Sequence, residues 1–351
     1  MFDATPINVS AKRMGNTMVN ATNQDHSASM MYRRCGDGGP MLPAMSLGLM
    51  TVFDQGMEVA RQVICRALDR GVTQFDLAAG YRSELGPAEE SFGEILHGEL
   101  AGHRDGLIIA TKAAWADGSR EAIVGQCEAS LRRMRVDHVD ILYHHAPDED
   151  TPIEETAGAF AELIGQGKVR HCGISNYSAT QTEAAVAALG AAGVKLTVHQ
   201  ANYNVLNRWI EADLLDVLKE AGAGCVAFTP LASGLLTDRF CGQGSEGTRG
   251  HRYFDAMVSA AEAGETWYGH FDGGDAGGQV TERVGALQGI ARRRGQSLEQ
   301  MALMWTLRDD RVTSALFGAS SVGQLDANLN GLSGVPFGAD ELAAIDAIVR
   351  P

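Results

Sequence analysis

Apolar residues recur along the chain in two alternating patterns, one with the period of a strand and one with the period of a helix. Short apolar runs such as "GLIIATK" (106–112) and "HVDILYHH" (138–145) are typical of buried strands. Longer stretches such as "GMEVARQVICRALDRG" (56–71) place their apolar residues along one helix face and end in Gly. Further strands are predicted at 42–49, 72–78, 169–175, 195–203, 224–231 and 312–319. Further helices are predicted at 87–100, 119–135 (with Ser119 as N-cap), 151–168, 178–189, 208–221, 280–295, 297–307, 321–330 and 339–349.

The alternation amounts to eight strand–helix units, which predicts an α/β fold of the (β/α)8 TIM-barrel type in a single domain over residues 32–351. A doubly wound sheet is the weaker alternative, because no GxGxxG motif follows the first strand. The nearest sequence, "GDGGP" (36–40), has the wrong spacing and no helix after it. In a barrel, we expect the chemistry at the carboxyl ends of the strands.

Two segments depart from the alternation. Residues 1–31 are polar and lack a periodic apolar pattern, so we expect a disordered N-terminal tail, whose methionines leave a later start of translation open. The Gly- and Ala-rich stretch 242–278 predicts a long loop insertion after the seventh strand. Its aromatic residues favour a lid that becomes ordered on ligand binding, with disorder as the alternative. They are Tyr253, Phe254, Trp267, Tyr268, His270 and Phe271.

Composition and charge narrow the function classes. The chain has 351 residues, is 45% hydrophobic and 21% charged, and carries a formal net charge of −15. These values are typical of a soluble globular protein and unfavourable for binding nucleic acid. Because the sequence has neither the apolar core of a signal peptide nor ~18 apolar residues in a row, we expect a cytoplasmic protein that does not span a membrane. Six scattered cysteines without a CxxC pair predict buried reduced thiols and no metal site.

Chemically active side chains fall at the ends of three successive predicted strands. Asp76 and Tyr81 follow the second strand, Lys112 ends the third, and the adjacent His144 and His145 end the fourth. An ammonium beside a phenol stabilises the phenolate, and a carboxylate holds the ammonium charged and in place. An imidazole can donate to a substrate oxygen. This set could protonate the alkoxide formed when hydride from a cofactor reduces a carbonyl. Adjacent residues on a strand point to opposite faces, so strand alternation alone leaves the choice of histidine open.

The motifs around these residues resemble the aldo-keto reductases. They are "GVTQFDLAAGY", "GPAEESFGEIL", "IATKAA", "VDILYHHAPDEDTPIEET", "CGISNYS", "HQANYNVLNRWIE", "FTPLASGLLTDRF" and "LFGASSVGQLDANL", in family order from about Tyr32 to the C-terminus. The resemblance is greatest to the branch of the L-glyceraldehyde 3-phosphate reductases and, more distantly, the potassium-channel β-subunits. It implies a (β/α)8 barrel that binds a nicotinamide cofactor without a Rossmann motif. The implied substrate is a small aldehyde such as glyceraldehyde 3-phosphate or methylglyoxal.

By the same resemblance, the family's catalytic residues fall on Asp76, Tyr81, Lys112 and His145. Ser175, Asn176 and Gln200 would contact the nicotinamide carboxamide, and Phe228 would stack on the ring. Taken alone, Phe228 would be assigned to the core and Gln200 to a buried backbone group. The other implied cofactor positions are Pro230, Leu231, Ser233, Gly234 and Leu235 along the pyrophosphate, and Gly318, Ser320, Ser321, Gln324 and Asn328 at the adenosine end.

Two departures from the family pattern bear on specificity. The family commonly places Arg or Lys, which pairs with the 2′-phosphate of NADPH, at the position of Ser321. NADPH is therefore expected from the family, NADH stays open, and Arg239 or Arg249 could compensate. The short loop "AAWADG" after Lys112 contains Trp115, either a wall of the substrate pocket or an exposed plug of the barrel rim. The alternative function is a redox-sensing or regulatory subunit of the channel β-subunit type with little turnover, and homo-oligomerisation is left open.

Overall fold

The structure, a computed structural model, describes residues 30–113, 115–240, 249–263 and 276–349. Eight parallel strands form a closed barrel in which each strand pairs with the next along the chain and the last pairs with the first. They are β1 (Met45–Gly48), β2 (Gln74–Asp76), β3 (Ile108–Ala113), β4 (Val139–His144), β5 (Val169–Ser175), β6 (Leu196–Asn202), β7 (Gly224–Phe228) and β8 (Val312–Phe317). The predicted (β/α)8 barrel is confirmed.

Helices follow the strands along the chain and surround the barrel. They are α1 (Met57–Asp69), α2 (Ala88–His97), α3 (Arg120–Met134), α4 (Ile153–Gly165), α5 (Ala179–Ala191), α6 (Leu214–Ala221), α7 (Arg249–Glu262), α8 (Ala276–Arg293), α9 (Leu298–Thr306), α10 (Val322–Asn330) and α11 (Ala339–Val349). Ser119 caps α3 as predicted, because its side chain accepts a hydrogen bond from the Ala122 N–H. The helix predicted over 208–221 is interrupted at Asp213, whose φ of −153° is not helical, and only α6 follows it.

The barrel strands bury both of their faces and so build two cores. Ala110, Ile141, Tyr143, Val198 and Val226 pack against one another inside the barrel. Residues on the opposite strand faces pack outward against the helices. Burial on both sides explains why these strands appear in the sequence as nearly continuous apolar runs rather than as a clean alternation.

A short hairpin precedes the barrel. Its strands, Tyr32–Arg34 and Met41–Pro43, pair antiparallel, and Leu42 and Cys35 join the core inside the barrel. Gly36 and Gly38 lie in the connecting turn with φ of 64° and 82°, which glycine adopts without steric cost. The "GDGGP" sequence is therefore a hairpin turn and not part of a nucleotide-binding loop.

The insertion after β7 contains a helix that composition alone did not predict. α7 occupies part of the predicted loop, with Met257 and Ala260 buried, and Phe254 packs against Phe240 with ring centroids 5.9 Å apart. Gly and Ala are frequent there, yet these apolar residues follow a helical spacing. Trp267, Tyr268, His270 and Phe271 of the expected lid, and the expected N-terminal tail up to residue 29, lie outside the described residues.

Within the described ranges, no helix is long and apolar enough to cross a membrane. The same ranges contain no cluster of His, Cys, Asp and Glu side chains that could hold a metal ion. The cysteines at positions 35, 65, 127, 172 and 225 are free thiols, and all but Cys65 are buried. The sixth cysteine, Cys241, lies outside the described part of the chain.

Candidate active site

A cavity of about 400 Å³ lies at the carboxyl ends of the barrel strands. Asp76 and Tyr81 line it at the end of β2, and Phe228 lines it at the end of β7. Further lining residues come from the loops after β7 and β8 and from α10: Thr229, Pro230, Leu231, Ser233, Gly234, Thr237, Arg239, Gly318, Ala319, Ser320, Gln324 and Asn328. Most of the pyrophosphate and adenosine positions implied by the sequence therefore share one cavity with Tyr81.

Lys112 connects the candidate catalytic residues. Its side chain is 2% exposed, and its Nζ donates to the Asp76 carboxylate and, at 2.8 Å, to the carbonyl oxygen of Leu77. The same Nζ lies 3.5 Å from Tyr81 Oη. Gln200 Nε2 donates to the second Asp76 oxygen at 2.8 Å. One buried ammonium thus joins a buried carboxylate to a phenol that lines the cavity.

Burial and charge act in opposite directions on this ion pair. Burial alone would lower the pKa of Lys112, but the Asp76 carboxylate and Tyr81 raise it, and the net direction is upward. Burial raises the pKa of Asp76 against the opposing effects of Lys112 and Gln200. Each charge would be costly in the barrel without the other. Lys112 therefore presents a positive charge to Tyr81 Oη while Asp76 neutralises it from the other side.

The two histidines at the end of β4 lie on opposite sides of the strand. Tyr143 packs inside the barrel, and His145 continues this inward row, with its ring centroid 6.4 Å from that of Tyr81. His144 is fully buried, and its Nδ1 lies 2.6 Å from the hydroxyl oxygen of Tyr177, a residue of the outer core. The structure therefore brings His145 next to Tyr81 and places His144 against the helical layer.

The His145 ring is neutral at neutral pH. Burial lowers its pKa to about 3, and the charges of Lys112 and His144 act in the same direction. A neutral imidazole carries one N–H and can donate a hydrogen bond to a carbonyl oxygen, but it is not a proton source at pH 7. The Trp115 ring, 67% exposed, meets the His145 ring edge-on at a centroid distance of 4.7 Å. Trp115 therefore stands at the barrel rim directly beside the candidate site.

For the aldehyde reduction that the resemblance implies, we expect His145→Ala to lower kcat/KM by about 100-fold, because one positioned donor to a developing alkoxide contributes roughly 10²–10³ in rate. His144→Ala should change kcat/KM by less than about fivefold, since that ring contacts Tyr177 and no group of the cavity. It should instead lower the temperature of thermal unfolding, because it leaves the buried Tyr177 hydroxyl without its partner. Steady-state kinetics and thermal unfolding of both variants test this. Equal losses of kcat/KM would refute the assignment.

The residues implied for the carboxamide meet at the ends of β5 and β6. Ser175 is buried and pairs in register with Gln200, and Asn176 follows with a φ of 65°, a left-handed conformation in which Asn is enriched. The Asn176 N–H donates to the Gln200 carbonyl at 3.2 Å, and its Nδ2 donates to the His145 carbonyl at 2.9 Å. Asn176 Oδ1 is buried without a hydrogen-bond partner among the described residues. It is an unused acceptor next to His145.

The loop after β7 follows the cavity in an unusual backbone conformation. Thr229, Ala232 and Ser233 have φ of 52°, 47° and 54°, values that are uncommon for residues with a Cβ and most costly for a β-branched one. Asn204 Nδ2 donates to the Thr229 carbonyl at 3.0 Å, and Thr229 Oγ1 donates to Asn202 Oδ1 at 3.0 Å. Such strain persists where surrounding contacts hold it, and it is frequent at ligand sites. Here Asn202, the last residue of β6, and Asn204, two residues later, hold the loop.

The start of α10 forms another part of the cavity. Ser321 caps the helix by accepting from the Gln324 N–H at 3.2 Å, and the Ser320 N–H and Oγ both donate to Gln324 Oε1. Asn328 lines the cavity one turn later. A helix N-terminus of this kind favours a negatively charged group. Ser321 itself is exposed and is not a lining residue, and Leu235 is buried in the core rather than in the cavity wall.

Sequence reasoning missed several residues of the cavity wall. They are Gly48, Met50, Thr51, Thr229, Thr237, Glu299, Leu316, Phe317 and Ala319. Most of them end a barrel strand or follow one, a position that the barrel pattern itself marks as part of the mouth. Glu299 is different, because it lies in the first turn of α9 and no rule about strand ends applies to it.

Comparison with known proteins agrees with this geometry. The model of the Aldo/keto reductase family matches residues 44–350. The L-glyceraldehyde 3-phosphate reductase of Escherichia coli (strain K12) is 41% identical over 344 residues, which cover 94% of this chain and 95% of that protein. A probable voltage-gated potassium channel subunit beta of Arabidopsis thaliana is 32% identical over 318 residues, 88% of this chain and 92% of that protein. One from Oryza sativa subsp. japonica is 30% identical over 333 residues, with 92% and 97% covered.

Proposed function

The chain belongs to the aldo/keto reductase family, and from this premise we propose that it reduces small aldehydes to alcohols with a nicotinamide cofactor. The observation that carries the proposal is the contact of Lys112 Nζ with both the Asp76 carboxylate and Tyr81 Oη at the cavity. A phenol held against a positive charge can give up its proton and remain as a stabilised phenolate. Carbonyl reduction requires a proton donor of this kind.

The residues of the cavity and Asn176, which does not line it, fit a nicotinamide dinucleotide. The Phe228 ring in the cavity wall suits the flat nicotinamide. Asn176 Oδ1, which has no partner among the described residues, suits the NH₂ of the carboxamide. The loop of residues 229–234 and the N-terminus of α10 would hold the phosphates and the adenosine ribose. When bound, the cofactor supplies the hydride that the aldehyde carbon accepts.

Each residue around the carbonyl would have a separate task. The His145 N–H would donate to the carbonyl oxygen and orient it. Tyr81 Oη would transfer its proton to that oxygen as the carbon accepts hydride, so one C–H and one O–H bond form while the C=O π bond is lost. Lys112 would stabilise the Tyr81 oxygen after the proton leaves, and Asp76 would keep Lys112 charged and in place. A proton from solvent would then restore Tyr81.

The proposed substrates are small aldehydes such as glyceraldehyde 3-phosphate and methylglyoxal. NADPH is the cofactor that the family resemblance implies, and NADH is the alternative that the uncharged Ser321 leaves open. The short loop after Lys112 places Trp115 beside His145, so the substrate preference need not equal that of the bacterial relative. The expected product is the corresponding primary alcohol.

The test is consumption of NADPH and of NADH, measured by the loss of nicotinamide absorbance with a panel of aldehydes. The panel contains glyceraldehyde 3-phosphate, methylglyoxal, an aliphatic aldehyde and an aromatic aldehyde. Turnover with at least one of them that depends on Tyr81 supports the proposal. An absence of turnover with either cofactor across the whole panel contradicts it.

The alternative function is a cofactor-binding regulatory subunit, and it is motivated by the similarity to the plant channel subunits. Such a protein would bind the cofactor tightly and turn it over slowly. The contacts of Lys112 with Asp76 and Tyr81, and of the Tyr81 ring with the His145 ring, favour the enzyme. Tight cofactor binding in the absence of measurable aldehyde reduction would favour the subunit.

A further inference from the structure

Glu299 lies in the wall of the cavity, and one of its carboxylate oxygens has no hydrogen-bond partner in the part of the chain that the structure describes. It stands in the first turn of α9, where its Oε1 accepts from the Asp238 N–H at 3.2 Å. Its Oε2 is buried and makes no hydrogen bond to any residue that the structure describes. A buried acceptor without a donor costs free energy, so a ligand that brings a hydrogen-bond donor to Glu299 is favoured.

Contacts between two helices place Glu299 at the α10 side of the cavity. Gln300, the next residue, donates from Nε2 to the Ala327 carbonyl at 2.8 Å. Ala327 lies between Gln324 and Asn328, which both line the cavity. The first turn of α9 therefore faces the part of α10 that the proposed function assigns to the adenosine ribose.

The two forms of the cofactor differ at that ribose. The ribose of NADH has a 2′-hydroxyl, which can donate to a carboxylate oxygen, as the acidic residue of dinucleotide-binding folds accepts from the same hydroxyl. The 2′-phosphate of NADPH adds about −1.5 to −2 charges and three acceptor oxygens. A phosphate that is largely deprotonated at neutral pH has little to donate to Glu299, and its charge repels the carboxylate. An acceptor without a donor at this place therefore favours NADH, whose adenosine ribose carries the 2′-hydroxyl.

The charges of the cavity wall also favour NADH over NADPH. Among the described residues that line the cavity, Arg239 is the only cationic side chain. The pyrophosphate, which both cofactors carry, would attract this guanidinium. Ser321 offers a hydroxyl that is engaged with the Gln324 N–H and carries no charge. The described wall thus provides one cation for the pyrophosphate and an anion, Glu299, where a 2′-phosphate would need a second cation.

We infer that Glu299 accepts a hydrogen bond from the adenosine ribose and makes the protein prefer NADH to NADPH. The inference rests on the proposed function, because it takes the cavity to be the nicotinamide cofactor site. It is opposite to the NADPH preference that the family resemblance implies. Glu299 is a residue that determines cofactor specificity and has no contact with the reacting atoms.

Isothermal titration calorimetry of the purified protein with NADH and with NADPH tests the inference without measuring activity. The unmodified protein should bind NADH about tenfold more tightly, a difference of about 1.4 kcal/mol. Glu299→Gln keeps an acceptor and removes the charge, so NADPH affinity should rise about tenfold while NADH affinity changes less than about threefold. Glu282→Gln, at an exposed position of α8, removes the same charge outside the cavity and should leave both affinities within about twofold.

Ser321→Arg is a second test of the same site. Ser321 is exposed at the start of α10, where a larger side chain does not disturb the core. It should tighten NADPH more than NADH, because a guanidinium beside the ribose pairs with the added phosphate. Tighter binding of NADPH than of NADH by the unmodified protein, or the same ratio of affinities in Glu299→Gln, overturns the inference and leaves the reductase proposal standing. Failure of the unmodified protein to bind either cofactor overturns the proposed function itself.

Discussion

Replacing Tyr81 with Phe is expected to lower kcat/KM for aldehyde reduction by about 10³–10⁴-fold, near the upper limit of what one general acid contributes. The substitution removes only the hydroxyl that lies 3.5 Å from Lys112 Nζ. The ring remains in the cavity wall, so NADH and NADPH affinities should change less than about threefold. Steady-state kinetics and calorimetric titration of the same preparation measure the two effects separately.

Tyr143→Phe is the matched control for Tyr81→Phe. Tyr143 lies inside the barrel, and Lys112 Nζ is 5.8 Å from its ring centroid, compared with 5.2 Å for the Tyr81 ring. Tyr143 is buried in the core inside the barrel and does not line the cavity. Loss of the Tyr143 hydroxyl should therefore change kcat/KM by less than about threefold. If Tyr81→Phe keeps more than about a tenth of the activity, Tyr81 is not the proton donor.

Lys112→Met is expected to lower both stability and activity. It leaves the Asp76 carboxylate, 1% exposed, with Gln200 as its remaining side-chain donor. Breaking a buried ion pair from one side typically costs about 3–5 kcal/mol in the free energy of unfolding. Activity should fall by at least about 100-fold in the fraction that remains folded, because Tyr81 loses the adjacent positive charge. Urea unfolding and kinetics at a concentration of urea well below the transition measure the two quantities.

Two further variants separate the structural role of Lys112 from its catalytic role. Lys168→Met is the same substitution at a partly exposed ion pair with Glu128, and it should change the free energy of unfolding little. Lys112→Met combined with Asp76→Asn removes both buried charges and should recover much of the lost stability. Activity should stay low in the double variant. Recovery of activity together with stability would show that Lys112 acts only in folding.

The order of elements was predictable because local periodicity records how each residue is buried. The strand predicted at 169–175 coincides with β5, and the helix predicted at 321–330 differs from α10 by one residue. The prediction over 208–221 was too long, since Asp213 is not helical and α6 begins only at Leu214. α7 was missed because the Gly- and Ala-rich composition around it hid a short helical pattern. Such errors arise where local preference is weak and packing decides.

The candidate site was predictable only in part. Asp76, Tyr81 and Lys112 follow from the rule that chemistry collects at strand ends, and the structure brings their side chains into contact. The tasks of these residues, and those of the cofactor positions, stay predictions. Asn202 and Asn204, which hold the strained Thr229, had no recognisable signal, because their partner follows the next strand and is identified only by the register of β6 with β7.

By itself, the sequence determined the alternation of strands and helices, the barrel class and the group of polar residues at its mouth. Strand alternation left the choice between His144 and His145 open, and the family resemblance assigned His145. Tertiary structure shows that this ring faces Tyr81, and it alone decided that Glu299 lines the cavity. The physical reason is that periodicity distinguishes the two faces of an element without identifying what covers each face. Both faces of β4 are buried, so only the packed barrel shows that Tyr143 and His145 share the inner one. Glu299 and Asn328 line the same cavity because α9 packs on α10, a contact that local sequence does not encode.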